Sequence, residues 1–168
     1  MRIAIISDIH EDYQSLQKIL NKISLKGFDK LICLGDVTGF SPSFYRYGRT
    51  KNAEACLALV RERCDVVIPG NHDLAAVRRV PLHSATFDFP SGWYDLEPGH
   101  RHRLSRGMIW QHEDDLDPGY GPGNIRYLES LPEFEVLEAP GFKILVSHYA
   151  YPNLSGFTRG FYTWEQEF

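Results

Sequence analysis

The sequence predicts an α/β fold organised around a parallel sheet. Three observations carry that prediction. Short β-branched runs alternate with amphipathic stretches through the first half of the chain. The runs are continuously apolar, as in strands covered on both faces. Each run stops on a polar cluster. At 168 residues the chain fits a single domain, 1–168, long enough to bury a real core.

The elements follow in order. Residues 2–7 form the first strand, with Ile3, Ile5 and Ile6 in a run expected to be buried on both faces. A helix follows, because Leu16, Ile19, Leu20 and Ile23 recur at the spacing of one helical face. Gly27 is placed to end it in a left-handed cap. Lys30 to Leu34 is the second strand and runs into Gly35-Asp36. After a loop through Ser41-Pro42, the stripe Ala53, Cys56, Leu57 and Val60 predicts a second helix. Asp65 to Ile68 is a third short strand, leading into Pro69-Gly70-Asn71-His72-Asp73.

Residues 81 to about 123 read differently. They are rich in Pro, Gly, His and aromatic residues, and the periodicity fades. The prediction there is a loop-rich excursion with a short helix near Ser105 to Asp114. A helix near Asn124 to Ser130 is closed by Pro132, and strands are expected at Phe134–Leu137 and Phe142–Ser147 on either side of Pro140-Gly141. No strand is apparent in the tail, Tyr149 to Phe168.

Composition sets limits on function. A formal net charge of −4 gives no general attraction to nucleic acid or to an anionic membrane. No stretch approaches the length of a membrane span. Cys33, Cys56 and Cys64 are sparse, odd in number and without metal-ligand spacing. They read as small buried apolar residues in a reducing compartment, which predicts a cytoplasmic protein.

The chemistry is concentrated where the strands end. Asp8-Ile9-His10, Gly35-Asp36, Gly70-Asn71-His72-Asp73 and Ser147-His148 each follow an apolar run directly. Ligands of open α/β sheets gather at the carboxyl ends of strands. Converging there, these groups would form a nest of carboxylate, imidazole and amide suited to Mn, Fe, Co, Ni or Zn. In an extended segment Asp8 and His10, two apart, would point the same way and reach one ion. Asp36 has two oxygens and can bridge two ions, with Asn71 and His148 completing the second site. Two ions about 3.5–4 Å apart would hold a hydroxide between them and clamp an in-line displacement at phosphorus.

These motifs, in this order, resemble those of the calcineurin-like metallophosphoesterases. Gly35-Asp36-Val37-Thr38-Gly39-Phe40-Ser41-Pro42 and Tyr127-Leu128-Glu129-Ser130-Leu131-Pro132 resemble the branch of small bacterial phosphodiesterases and diadenosine-tetraphosphatase-like proteins. The resemblance implies two stacked, mainly mixed β-sheets flanked by helices. It implies two divalent metal ions, manganese among the candidates. Asp8, His10 and Asp36 would hold the first, and Asp36, Asn71 and His148 the second. His72 would donate a proton to the leaving group, oriented and charged by Asp73. The reaction implied is hydrolysis of a phosphodiester or a nucleotide polyphosphate, with Asn71 also touching substrate. The rival is a non-catalytic scaffold that keeps the fold to bind a protein partner.

Each motif has a blander reading taken singly. Asp8 is a common turn or cap residue, Gly35-Asp36 a common turn dipeptide, and Asn71 a common helix cap. Phe40, Phe44, Tyr45 and Tyr47 follow Asp36 closely and are candidates to stack on a nucleobase, Phe40 and Phe44 foremost as substrate contacts. Arg101, Arg103 and Arg106 read first as a solvated basic loop, with a phosphate-binding edge as the alternative.

One family motif is missing from its place. The resemblance calls for Gly-His-x-His after the strand-end histidine, and no histidine follows His148. Gly99-His100-Arg101-His102 fits the letters but precedes His148, with no apolar strand leading into it. The expectation is therefore that the domain is C-terminally incomplete, its last residues opening a helix at Thr163 with Gln166 three positions on. A bare sheet edge would then favour association with another copy.

Overall fold

A computed structural model describes residues 1–158. The expected helix at Thr163 lies outside the described residues. Strand β1 (Ile3–Ile6), β2 (Lys30–Cys33) and β3 (Val66–Val67) form a parallel sheet in the order β1-β2-β3. The helices that connect them are α1 (Tyr13–Lys26) and α2 (Ala53–Arg63). Helix α3 (Asn71–Ala76) leaves β3 directly. After the excursion come α5 (Pro122–Ser130) and the antiparallel pair β4 (Phe134–Ala139) and β5 (Phe142–Ser147). The fold is α/β with two sheets, one purely parallel and one purely antiparallel among the described residues.

Local chemistry explains the helix limits. The Asp12 carboxylate accepts from Ser15 N at 3.0 Å to open α1, and Gly27 closes it at φ 69° and ψ 139°, a glycine conformation but not the left-handed helical cap expected. Asn52 does the same for α2, accepting from Ala55 N at 3.0 Å.

Strand alternation sorts side chains between two cores. Leu31 and Cys33 face a cluster with Leu16 and Leu20 of α1, Cys56, Leu57 and Val60 of α2, and Leu128 of α5. Ile32, between them in β2, faces the other way and packs with Ile68, Leu137 and Val146 between the two sheets. The layers are thus helix, parallel sheet, antiparallel sheet. All of the predicted α2 stripe is buried, whereas Ile19 of α1 is exposed, so the α1 stripe is narrower than its spacing implied. Ile5 also departs from expectation. It is 58% exposed on the face that Ile3 shares with the second sheet, so β1 is not covered on both faces among the described residues.

The excursion has its own small core, in which Leu74, Trp93, Ile109 and Phe157 are buried and Phe87, Phe89 and Tyr94 pack against them. Its helix, α4, spans Pro98–Leu104 rather than the expected 105–114. Pro98 at the first turn lacks the N–H that a helix start leaves unpaired, which favours initiation there. Residues 105–114 instead turn back, and Ile109 bridges Thr158. Arg79 and buried Glu133 pair at 3.0 Å, tying the start of the excursion to the approach to β4.

Candidate metal centre

The parallel register, Ile3 with Lys30 through Ile6 with Cys33 and Cys33 with Val67, brings the carboxyl ends of the three strands to one edge. Three of the four polar clusters leave from that edge, and His148 arrives from the end of β5. The segment after β1 is not extended, as the reading of Asp8 and His10 required. Asp8, His10 and Glu11 have φ of 55°, 44° and 67°, and Asp36 has 52°. Non-glycine residues seldom adopt this region, and clusters of them mark strained functional loops. The conformation is held by backbone bonds to the neighbouring turn: Asp8 N to Gly35 O, Ile9 and His10 N to Asp36 O, and Glu11 N to Val37 O, at 2.8–3.0 Å. Asp8 and His10 still converge, with Asp8 Oδ1 3.9 Å from His10 Nε2.

Two glycines permit the strand ends to meet. A Cβ on Gly35 would lie 2.1 Å from Gly70 N, and one on Gly70 would lie 2.1 Å from Asp36 Oδ1. The reason for glycine here is therefore close approach of two turns, in addition to the positive φ of 93° at Gly35.

Asp36 sits at the centre. Its Oδ1 accepts from His72 N at 2.9 Å, and its Oδ2 lies 3.3 Å from His148 Nε2. Two sets of side chains are close enough to share an ion, His10 with Asp36 and His72, and Asp8 with Asp36 and His148. Asp36 belongs to both. The grouping differs from the expected partition, because His72 falls beside His10 and Asp8 beside His148.

The histidine tautomers follow from what each Nδ1 touches. His10 Nδ1 donates to the carbonyls of Thr38 and Gly39 at 3.0 and 3.1 Å, and His148 Nδ1 donates to Leu34 O at 2.7 Å. Both Nε2 atoms are left facing the carboxylates. Backbone acceptors of this kind orient metal-binding imidazoles. His148 Nε2 lies 3.0 Å from Asn71 Oδ1 as well as 3.3 Å from Asp36. Three lone-pair-bearing atoms meeting there call for a positive centre. A proton fills that need in the metal-free protein. Burial alone would depress the His148 pKa, but the Asp36 charge and hydrogen bond outweigh it and push it up to about 9. Asp36 is correspondingly held below the usual carboxylate range, His148 outweighing the opposing effect of burial. A divalent cation answers the same need, so the donor set fits metal.

His72 is oriented by a residue other than the one expected. Its Nδ1 donates to Asp115 Oδ2 at 2.6 Å. Burial would lower its pKa, but this bond and the charges of Asp36, Asp115 and Asp73 raise it. Asp73 makes no bond to His72. Its buried carboxylate accepts from Gly70 N and Thr38 N at 3.0 Å, from Thr38 Oγ1 at 3.1 Å and from Val37 N at 3.3 Å. Asp73 therefore staples the second turn to the third: its charge helps raise the His72 pKa, but the expectation that it orients the ring is corrected, since Asp115 makes that bond. Asn71 is the first residue of α3 after its cap Gly70, so its side chain is not spent on capping. Its Nδ2 donates to His112 Nε2 at 2.8 Å.

The cluster opens into a cleft of about 1380 Å³, roomy enough for a nucleotide-sized ligand. Phe44 and Tyr45 line it, with Trp110. Phe40 does not. It is 3% exposed, with its ring 5.9 and 5.3 Å from Tyr45 and Tyr47 and Lys51 above it, so its place as a substrate contact is corrected. Tyr45 takes that position and stacks on His10 at 4.9 Å. Of the basic loop, Arg103 and His102 reach the cleft wall, while Arg101 lies over Trp93 and Tyr94. His100 and His102 belong to neither ion-sharing set among the described residues.

Sequence reading missed Asp115 and His112. The run Trp110-Gln111-His112-Glu113-Asp114-Asp115 is conspicuously polar and titratable, yet nothing in its spacing singles out the two residues that face the site.

The arrangement is a candidate strand-end metal centre beside an imidazole whose pKa is raised. Comparison with known proteins agrees: the calcineurin-like phosphoesterase description matches residues 1–166, and the chain belongs to that family. The family is one of metal-dependent phosphoester hydrolases. An uncharacterised protein of Methanocaldococcus jannaschii is 27% identical over 146 residues, covering 87% of this chain and 48% of the relative. A hypothetical protein from Pyrococcus horikoshii shares the fold at TM-score 0.57 and 20% identity, covering 92% of this chain and 57% of that one. A metallophosphoesterase from Sphaerobacter thermophilus is 26% identical at TM-score 0.48, over 80% of this chain and 42% of that one. The chain thus spans about half the length of the relatives it matches. No helix among the described residues is long and apolar enough to cross a membrane.

Proposed function

We propose that the chain acts in metal-dependent hydrolysis of a phosphodiester or a nucleotide polyphosphate. The observation that carries this reading is the position of Asp36, shared by two sets of ligating side chains and bonded to the backbone of His72. Asp8, His10 and Asp36, with Asn71 and His148, are the residues assigned to two divalent ions. Bound there, the ions would supply Lewis acidity and an activated water at neutral pH.

The chain's own residues account for the remainder. Asp36 anchors both ligand sets and fixes the His72 backbone, so the proton donor and the ligands keep one geometry. His72, with its Nδ1 proton engaged by Asp115, presents Nε2 as the group that protonates the departing oxygen. Phe44 and Tyr45, with Trp110, offer ring faces to a base or an aryl group. A small phosphate ester suits a chain of net charge −4 better than a long polyanion does.

Replacing His72 by Gln separates this reading from that of a non-catalytic scaffold. The expected result is a large loss of diester hydrolysis with metal content kept. Loss of metal in step with rate would make His72 a ligand instead of a proton donor.

A further inference from the structure

We propose that the segment 109–115 is a positioning clamp for the Asn71-His72 pair: Asp115 fixes the ring of His72, and His112 fixes the amide of Asn71. The proposal rests on the catalytic reading above and assigns the excursion a part in it.

The geometry of the first arm is a single short bond, His72 Nδ1 to Asp115 Oδ2 at 2.6 Å, with both side chains largely shielded from water. The carboxylate can only accept, so the ring proton on Nδ1 is fixed and Nε2 is the atom turned away from Asp115. The second arm concerns an amide that has two faces. Asn71 Oδ1 must face His148, whose Nε2 also approaches Asp36. Its Nδ2 then needs an acceptor on the other side, and His112 Nε2 at 2.8 Å provides a lone pair. The Asn71 amide nitrogen can only donate, so this contact holds Oδ1 on the side of His148. Without His112 the Asn71 amide could turn over and present nitrogen where an ion needs oxygen.

The clamp is anchored independently of the residues it holds. Ile109 is fully buried in the excursion core, and Trp110 N donates to Phe157 O at 2.9 Å. At the far end Leu116 N donates to Phe40 O at 2.9 Å, within the same loop that follows Asp36. His112 itself is held at φ 58°, and Asp115 N donates to His112 O at 3.2 Å, so the two arms are set by one turn. His112 also stands edge-on to the His72 ring at 4.6 Å. A non-glycine residue in the left-handed region facing a reactive pair is the kind of strain found where placement matters.

The test uses the full chain with Mn²⁺ and aryl phosphodiesters whose leaving groups range from nitrophenolate to phenolate. Asp115→Asn should lower kcat for the phenolate ester by about 10-fold or more, leave the nitrophenolate ester nearly unchanged, and leave KM and Mn²⁺ affinity unchanged. Asp115→Glu should recover part of the loss. His112→Phe should weaken Mn²⁺ binding by about 10–100-fold in calorimetry, the usual range for an outer-shell partner. His112→Gln, which keeps an acceptor, should bind Mn²⁺ nearly as the parent does and serves if the Phe variant fails to fold. Equal losses across leaving groups overturn the Asp115 arm. Parent-like Mn²⁺ affinity in His112→Phe, or its loss in His112→Gln, overturns the other. A parent protein that binds Mn²⁺ but hydrolyses none of the esters sinks the catalytic reading, while the binding arm remains readable.

Discussion

The two halves of the site are made by opposite means. Residues 1–76 build a regular sheet, and their contribution is a set of candidate ligands delivered by strand ends in register. The excursion has one seven-residue helix and no strand ladder beyond an isolated bridge, yet it delivers Asp115 and His112 to within hydrogen-bonding distance of α3. Regular structure sets where the charge goes. Irregular structure, held by a small aromatic core, sets which way His72 and Asn71 point. A fold can therefore keep its metal centre and change its reactivity by altering the second region alone.

The largest expected effect tests the first half. Asp36→Asn should remove both metal content and diester hydrolysis, by about 10³-fold or more, since both ligand sets lose a charge and charge stabilisation by metal is worth several kcal/mol. Near-normal turnover with full metal would show that the strand ends do not share one pivot. Next comes the boundary between the halves. His72→Gln should cost about 10²–10⁴-fold in kcat with metal retained, measured by metal analysis beside initial rates. Gly39→Ala should follow at about 10²-fold, because a Cβ there would lie 2.3 Å from His72 Nδ1 and push the ring off Asp115. If Gly39→Ala leaves kcat intact, ring placement is looser than the Asp115 bond implies.

A fourth outcome concerns protons. His148 holds its extra proton below about pH 9 in the metal-free protein. Adding Mn²⁺ to chelator-treated protein at pH 7.5 should then release a proton, read by calorimetry in buffers of different ionisation enthalpy. No release would mean that the ion binds away from His148. The smallest effect is on selectivity. Phe44, 67% exposed on the cleft, should change the preference between nucleotide and simple diester substrates several-fold when replaced by Ala. Phe40→Ala should instead lower Tm and leave that preference alone, since its ring is packed inside.

Much of this was legible in the chain, and the reason is periodicity. The α2 stripe, the second strand, the glycine end of α1 and the antiparallel pair all follow from local spacing. Asp8, His10, Asp36 and Asn71 stood out as candidates because each follows an apolar run that the parallel sheet ends at one edge, and His148 because it follows the apolar run of β5. The partner of His72 was not visible. Asp73 is adjacent in sequence, but a residue at the third position of a helix turns its carboxylate toward the backbone N–H groups at the helix start, which is where Asp73 is found. Asp115 reaches His72 across 43 positions through a segment with no period to read. Phe40 was misplaced for a related reason. Four aromatics in a short loop give no local sign of which ring turns inward, and the Glu11–Lys51 pair that helps decide it at 3.0 Å is itself a long-range contact.

Gly35 and Gly70 also bear on how such a sequence can change over time. What obstructs a side chain at position 35 is the backbone of position 70, and what obstructs one at 70 is the carboxylate and backbone of Asp36. Neither obstacle can be removed by trimming a neighbouring side chain without sacrificing the carboxylate that both ligand sets share. The two positions are closed to gradual drift, and no single compensating replacement reopens them. Variation is thereby channelled away from the strand ends and into the loops that frame the cleft.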